Sequence, residues 1–272
     1  MKVAIQGIPG SFHHQVALNV FGTDIEILEF PIFDEVAKAV QSGLVDIGVM
    51  AIENSIAGAI LPNYDLIDRF GLFINSEYYL PISHNLMALP GSNLKELKEV
   101  QSHPMALLQC QKYFDQYPSI KLTSEKDTAS VAKKISEQRL AGIGAIASKK
   151  AAEIYGLDIL AADIQSFQEN HTRFILLKSK KDISNQIPSK SSLKITIKNK
   201  KGGLAQLLTT LAEHDLDLSK IQSIPVMERP WDYAFFIDVI ISDLQKYKDA
   251  LQKVEASGAT IKILGEYKNQ KP

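Results

Sequence analysis

Apolar and polar positions alternate along this chain in short blocks, some with the two-residue period of a strand and some with the 3.6-residue period of a helix. Val3-Ala4-Ile5 is a run of buried-strand type, stopped by Gly7-Ile8-Pro9-Gly10. Ser11 stands where an N-cap is needed, and Phe12, Val16, Val20 and Phe21 follow at helical spacing. Residues 25–30 predict a second strand, and Phe33, Val36, Ala37 and Val40 a second helix. Residues 45–50 predict a third strand, which delivers Glu53-Asn54-Ser55 at its carboxyl end. After a helix around 63–70, residues 71–80 and 82–89 predict two strands broken at Pro81. Beyond a short helix at 94–99, Pro104 occupies the first position of another helix, with Ser102 as its expected cap. A strand at 120–123, a helix marked by Ala129, Val131, Ala132 and Ile135, a small-residue strand at 142–147, a helix from Ser148 to Tyr155 and an extended piece at 157–161 complete the pattern.

Strands that alternate with helices over short loops predict a mainly parallel α/β sheet. The pattern divides near 77–81 and again near 162–168. Two such crossovers imply two lobes with a cleft between them. The second crossover ends at Glu169-Asn170-His171-Thr172-Arg173-Phe174, which runs into Ile175-Leu176-Leu177. Strand ends facing a crevice are where an open α/β sheet places its ligand groups. Alternation sends Asn170 and Thr172 one way and His171 and Arg173 the other. A Thr-Arg pair here therefore grips one ligand only at a bend or between lobes; the plain alternative is a polar loop entering an ordinary strand.

Residues 180–192 hold lysines, serines, Asn185 and Pro188, which is linker composition. The remainder predicts a strand at 193–197, a helix at 204–213, strands at 216–226 and 233–241 with Pro230-Trp231 between them, a helix at 244–255 and a strand at 260–264. The order β-α-β-β-α-β is the ferredoxin-like plan.

Composition narrows the chemistry. A net charge of −1 over 272 residues argues against nucleic-acid or anionic-membrane partners. Cys110 is the sole cysteine, so no internal disulfide and no cysteine zinc site is available. The first residues read as a strand, not as a signal peptide, and no window approaches the ~20 apolar residues of a membrane helix, so a soluble cytoplasmic protein is expected. Gly7 to Ser11 offers backbone N–H groups to an anion at a helix start, or is simply a tight turn; it is neither a dinucleotide fingerprint nor a phosphate loop. His13 and His14 have no carboxylate beside them at ligand spacing and are read as packing or surface residues, not metal ligands.

Five stretches carry a resemblance: Gly7-Ile8-Pro9-Gly10-Ser11-Phe12; Ile52-Glu53-Asn54-Ser55-Ile56-Ala57-Gly58; Ser102-His103-Pro104 with Gln109-Cys110; Ala145-Ile146-Ala147-Ser148 with Ala151-Ala152 and Tyr155-Gly156-Leu157; and Asn170-His171-Thr172-Arg173-Phe174. In this order, ahead of a ferredoxin-like tail, the chain resembles the prephenate dehydratases that carry a C-terminal ACT regulatory domain. The resemblance implies a two-lobed catalytic domain like the type II periplasmic binding proteins over residues 1–180. Lobe 1 would be 1–78 with 168–180 and lobe 2 would be 79–167, followed by a linker at 181–192 and an ACT domain at 193–272. It implies conversion of prephenate to phenylpyruvate with loss of carbon dioxide and water, without cofactor or metal.

By the same resemblance Thr172 donates to the leaving oxygen and Arg173 pairs with a substrate carboxylate. Glu53, Asn54, Ser55, Ser102, Gln109 and Asn170 line the cleft, and Phe174 packs against the substrate ring or the core. Gly202-Gly203-Leu204 matches the family's Gly-Ala-Leu turn, which helps to bind phenylalanine where two ACT domains meet. The second effector motif, Glu-Ser-Arg-Pro in the family, reads Gln222-Ser223-Ile224-Pro225 here, which puts phenylalanine feedback in doubt. A homodimer or homotetramer built through the tails is implied. Arogenate dehydratase, using the same cleft, and a non-catalytic two-lobed solute sensor are the alternatives; Thr172 and Arg173 in the family's order favour an enzyme.

Overall fold

The computed structural model describes residues 1–181, 187–198, 200–225 and 233–272. The 182–186 part of the expected linker and the Pro230-Trp231 pair lie outside the described residues. Lobe 1 begins with β1 (Lys2–Gln6), α1 (Phe12–Phe21), β2 (Glu26–Phe30), α2 (Phe33–Gln41), β3 (Ile47–Asn54), the short β4 (Gly58–Ala59), α3 (Leu61–Arg69) and β5 (Phe73–Pro81). The chain then builds lobe 2 from β6 (Asn85–Ala88), β7 (Glu99–Ser102), α4 (Pro104–Phe114), β8 (Lys121–Ser124), α5 (Thr128–Gln138), β9 (Ile143–Ala147), α6 (Lys149–Tyr155) and β10 (Asp158–Ala161). It returns to lobe 1 as β11 (His171–Lys178).

The sheet of lobe 1 has the order β2-β1-β3-β11-β5, with β4 beside β3; that of lobe 2 has the order β10-β6-β9-β7-β8. The mainly parallel sheet expected from the sequence is corrected here, because each sheet is half antiparallel. β1 pairs in parallel with β2 and β3, whereas β11 runs antiparallel to both β3 and β5. In lobe 2, β7 pairs in parallel with β8 and β9, whereas β6 runs against β9 and β10. Apart from the short β4, which folds straight back on β3, the reversed strands are those that arrive from the other lobe. They enter at the hinge end, while strands fed by a helix crossover enter at the far end. His171 lies opposite Pro81, so the two interlobe connections sit side by side.

The C-terminal unit contains β12 (Lys190–Ile197), α7 (Gly203–Glu213), β13 (Asp217–Pro225), β14 (Tyr233–Ile240), α8 (Leu244–Ala256) and β15 (Thr260–Tyr267), in the sheet order β13-β14-β12-β15. One face, with Leu193, Ile195, Phe235, Ile237 and Val239, packs on α7 and α8 through Leu207, Leu211, Tyr247 and Val254. The other face joins the core of lobe 1, where Phe236, Leu264 and Tyr267 pack with Tyr64, Ile67 and Ile74. Burying a side chain of Phe236's size contributes about 1.5–3 kcal/mol, so this docking resembles a domain core more than a tethered contact. β12 starts at Lys190, inside the stretch whose composition reads as linker; Lys190, Ser191 and Ser192 are polar yet buried.

Gly265 explains how closely the two units meet. It falls at a register shift between β12 and β15, and a Cβ there would run into the Ile74 carbonyl of β5. Only a residue without a side chain permits this approach. Gly265→Ala is expected to lower stability by about 1–3 kcal/mol through overpacking, read as a lower denaturant midpoint at unchanged slope; an unchanged midpoint would show that the contact is loose.

Candidate active site

The carboxyl end of β3 and the start of β11 lie side by side, with Asn54 opposite Thr172 and Glu53 opposite Arg173. The orientation of the Asn54 amide is fixed by the backbone. Its Oδ1 accepts from the N–H groups of Ile56 and Ala57, at 3.0 and 2.8 Å. Its Nδ2 must therefore be the donor that reaches Thr172 Oγ1 at 3.0 Å and Asn170 Oδ1 at 2.6 Å. Asn170 in turn donates through Nδ2 to Gln109 Oε1 at 3.0 Å, crossing from lobe 1 to lobe 2. Gln109 Oε1 also accepts from His84 Nε2 at 2.8 Å, which fixes that ring's tautomer. Two backbone amides thus orient a chain of five side chains that spans the hinge. Because Thr172 receives a hydrogen bond from Asn54, its own proton remains available to a ligand, as does the amino group of Gln109.

Four of these side chains, Thr172, Asn54, Gln109 and His84, line an interlobe cleft of about 410 Å³, within the range of small-molecule sites, while Asn170, expected to line it, is fully buried behind them. Lobe 1 contributes Gly7, Ser11, Phe12, His13, Ala51, Asn54, Thr172 and Phe174; lobe 2 contributes His84, His103, Met105, Ala106, Gln109, Asp127 and Thr128. Among the described residues that line it there is no lysine or arginine. Apart from the Asp127 carboxylate, which accepts from the Ser130 N–H as the cap of α5, the polar lining groups are neutral, and three helix starts border the space: α1 capped by Ser11, α4 capped by His103 and α5 capped by Asp127. His13 belongs to the wall as a packed, neutral ring. Its Nε2 accepts from the Ala51 N–H at 3.3 Å, and it stands edge-on to Phe174 with ring centroids 5.0 Å apart. Away from the hinge the lobes touch again. Ser148 donates to the Gly10 carbonyl at 2.6 Å and Tyr155 to the Pro9 carbonyl at 2.7 Å. A Cβ on Gly10 would come within 2.8 Å of Ala151 Cα.

Several residues expected in the cleft stand elsewhere. Ser102 is the buried last residue of β7 and donates to the Ile146 carbonyl at 2.6 Å; the cap of α4 is His103, whose Nδ1 accepts from Met105. Ser55 ties the end of β3 to β11, its hydroxyl accepting from the His171 N–H at 2.9 Å. Phe174 reaches the cleft wall but is 1 % exposed and belongs chiefly to the core. Arg173 faces away from the cleft, as the alternation of β11 requires. Its Nε donates to Glu77 at 2.7 Å, its Nη2 to the Tyr267 hydroxyl at 2.8 Å, and its Nη1 pairs with Asp238. Lys190 completes the group by donating to Glu77 at 2.8 Å. Glu53 pairs with Lys220 of β13. Arg173, Glu53 and Ser55 line a second cavity of about 400 Å³ between lobe 1 and the C-terminal sheet.

Composition and motif reasoning missed this ionic group, although the sequence carries its signal. Asp238 interrupts Phe-Phe-Ile-Asp-Val-Ile, a charge inside a strand buried on both faces. The effector candidates lie at one end of the C-terminal sheet. Gly202 caps α7 with φ +77°, Gly203 begins that helix, Leu204 packs on the domain core, and Gln222 and Ser223 lie in β13. The cavity beside Gly203 is only about 100 Å³.

Burial holds His13 neutral and lowers its pKa to about 3. Unfolded, this ring titrates near its ordinary ~6.5. The unfolded chain therefore binds the extra proton between these values, and stability falls as pH drops from about 6.5 toward 3. Urea midpoints measured across that range are expected to decline on acidification, and His13→Gln to flatten the slope; an equal slope in the variant would remove His13 as its source.

The chain matches the family model described as prephenate dehydratase over residues 3–182. It is 32% identical to the bifunctional chorismate mutase/prephenate dehydratase of Enterobacter agglomerans, over 99% of this chain and 71% of that protein. It is 37% identical to arogenate dehydratase/prephenate dehydratase 1, chloroplastic, of Arabidopsis thaliana, over 98% of this chain and 72% of that protein. Among solved structures, the prephenate dehydratase of Arthrobacter aurescens in complex with L-Phe superposes with a TM-score of 0.89 at 25% identity, covering 100% of this chain and 92% of that one. With the two-lobed architecture and the motif order, these matches establish that the chain belongs to the prephenate dehydratase family.

Proposed function

We propose that the interlobe cleft takes prephenate and that Thr172 is the catalytic hydroxyl that assists departure of the ring oxygen. The observation that carries this reading is the fixed direction of the Asn54–Thr172 hydrogen bond, which leaves the threonine proton for the substrate. In the reaction the ring C–carboxylate bond breaks and its electron pair enters the ring. The ring C–O bond breaks, the oxygen leaves as water after gaining one proton, and carbon dioxide departs. Aromatisation supplies the driving force, so the protein mainly orients the dianion and supports the leaving oxygen. A threonine hydroxyl is a weak acid; Thr172 acts as hydrogen-bond donor and relay, and the bond it accepts from Asn54 strengthens the one it gives.

The cation-free wall suits a decarboxylation. An arginine on the departing carboxylate would stabilise the ground state more than a transition state in which that charge is being lost. Neutral donors hold the dianion while giving up less when the charge disperses. Arg173 therefore serves the reaction from behind the strand, not as a carboxylate clamp.

We assign residues 1–180 to the catalytic domain and 193–272 to the regulatory domain, with β12 reaching back to Lys190. We place the protein in the cytoplasm, as a dimer or tetramer joined through the C-terminal domains. No helix among the described residues is long and apolar enough to cross a membrane, and the small cavity beside Gly203 supports an effector site completed by a second chain. The Arthrobacter aurescens relative in complex with L-Phe supports phenylalanine as the effector, bound by Gly202, Gly203, Leu204, Gln222 and Ser223. Gln222 and Ile224 supply neither the acid nor the cation of the family motif, so binding is weak.

Purified protein is expected to form phenylpyruvate from prephenate, with arogenate run in parallel to fix the preferred substrate. Thr172→Ala should lower kcat by about 10²-fold or more, the range of a lost acid contribution, with an unchanged melting temperature; near-normal turnover in this variant would remove Thr172 from the chemistry. Phenylalanine at low micromolar concentration is expected to leave turnover unchanged, and strong inhibition there would overturn the weakened effector site.

A further inference from the structure

We propose that the C-terminal domain holds the catalytic strand in register: Asp238 and Tyr267, acting through Arg173, are positioning residues for Thr172 and Asn54. The inference rests on the reading of Thr172 above. Thr172 and Asn54 are cross-strand partners on the cleft face, and Arg173 and Glu53 are the adjoining partners on the opposite face. Both members of that second pair are held from the C-terminal sheet, Arg173 by Asp238 and Tyr267 and Glu53 by Lys220. Immediately beyond, the pairing of β11 with β3 shifts register between Arg173 and Phe174. Such a bulge interrupts the ladder on the β3 side, whereas β11 stays in unbroken register with β5 from His171 to Leu176; the placement of β11 against β3, and so of Thr172 against Asn54, is the part left to side-chain anchors. The anchors are themselves braced: Tyr267 and Ser192 hydroxyls lie 2.6 Å apart, and Ser192 donates to Asp238 at 2.5 Å.

Docking alone does not call for this arrangement. The apolar face of the sheet already supplies contact area, and a second ionic group ties the same two units at a distance from β3 and β11. There Asp68, at the end of α3, pairs with Lys194 and Lys262, at a partly exposed rim. A buried charge cluster is a weak source of stability compared with an apolar one. Its location directly behind Thr172 is what the docking argument leaves unexplained and the positioning argument requires.

The test uses steady-state turnover of prephenate by full-length variants. Asp238→Asn is expected to lower kcat by about tenfold and Tyr267→Phe by about threefold, as small misplacements of reacting groups do, with KM held within about twofold because the cleft wall is untouched. Asp68→Asn, which loosens the rim pair, should lower the melting temperature yet keep kcat within about twofold. Tyr267→Phe removes a single oxygen and decides the question if Asp238→Asn does not fold. Unchanged kcat in folded Asp238→Asn or Tyr267→Phe, or an equal loss in Asp68→Asn, overturns the proposal. Wild-type turnover is scored first: its absence rejects the activity, whereas normal turnover with indifferent variants rejects only the positioning role.

Discussion

Successive side chains of a β-strand point to opposite faces, and the start of β11 assigns the two faces to different parts of the molecule. Thr172 enters the cleft between the lobes, and Arg173, the next residue, enters the C-terminal sheet. One residue of displacement along this strand would exchange the two, placing a guanidinium in the cleft and a hydroxyl among buried carboxylates. Register here is therefore strongly specified from both sides. On the cleft side the amide chain from Asn54 to His84 fits one arrangement only, because Asn54 is oriented by backbone N–H groups. On the other side four charges in near-complete burial balance as two cations and two anions, so any shift leaves an unpaired charge.

The division of labour follows from what each environment does to charge. Lys190, 1 % exposed, has its pKa lowered by burial and by Arg173 nearby, while contact with Glu77 opposes both. Such a cluster suits fixed geometry and tolerates little rearrangement. The cleft is the reverse: His13 and His84 are held neutral by burial, the Asp127 carboxylate is engaged as the cap of α5, and the remaining polar groups that line the space are uncharged. A dianion that sheds a carboxylate is better served by donors whose attraction does not depend on a full opposite charge.

Much of this was legible before any coordinates. The strand and helix periods indicated the two lobes and the ferredoxin-like tail, and the two crossovers pointed Glu53, Asn54, Ser55, Ser102, Gln109 and residues 170–174 toward one gap, of which Asn54, Gln109, Thr172 and Phe174 line it. Alternation separates Thr172 from Arg173, and the structure keeps them on opposite faces of β11, where the family resemblance had set both against one substrate. What local pattern could not reach was long-range. β7, only four residues with Glu99 and Gln101 in it, has no apolar period to show. Strand direction depends on which lobe the chain arrives from. Lys190-Ser191-Ser192 has the composition of a linker, and its burial depends on partners that lie more than forty residues away, Asp238 and Tyr267 on later strands of the same sheet and Glu77 across the domain boundary.

The same constraint limits how a regulatory signal can travel. Separating the C-terminal sheet from lobe 1 would expose Phe236 and Leu264 and strand Arg173, Lys190, Glu77 and Asp238 without partners; breaking even one such buried pair costs about 3–5 kcal/mol, more than the ~1–3 kcal/mol typical of allosteric coupling. Effector-driven undocking is therefore a poor candidate for control. A shift within the docked state is a better one, because β13 and β14 carry both the proposed effector residues Gln222 and Ser223 and the groups that grip Glu53 and Arg173. A small displacement of those strands acts on the far side of the residue pair that presents Thr172, and packed interfaces convert small displacements into discrete rearrangements. On this view the C-terminal domain completes the back wall of the active site, and regulation is a change in how firmly that wall is held.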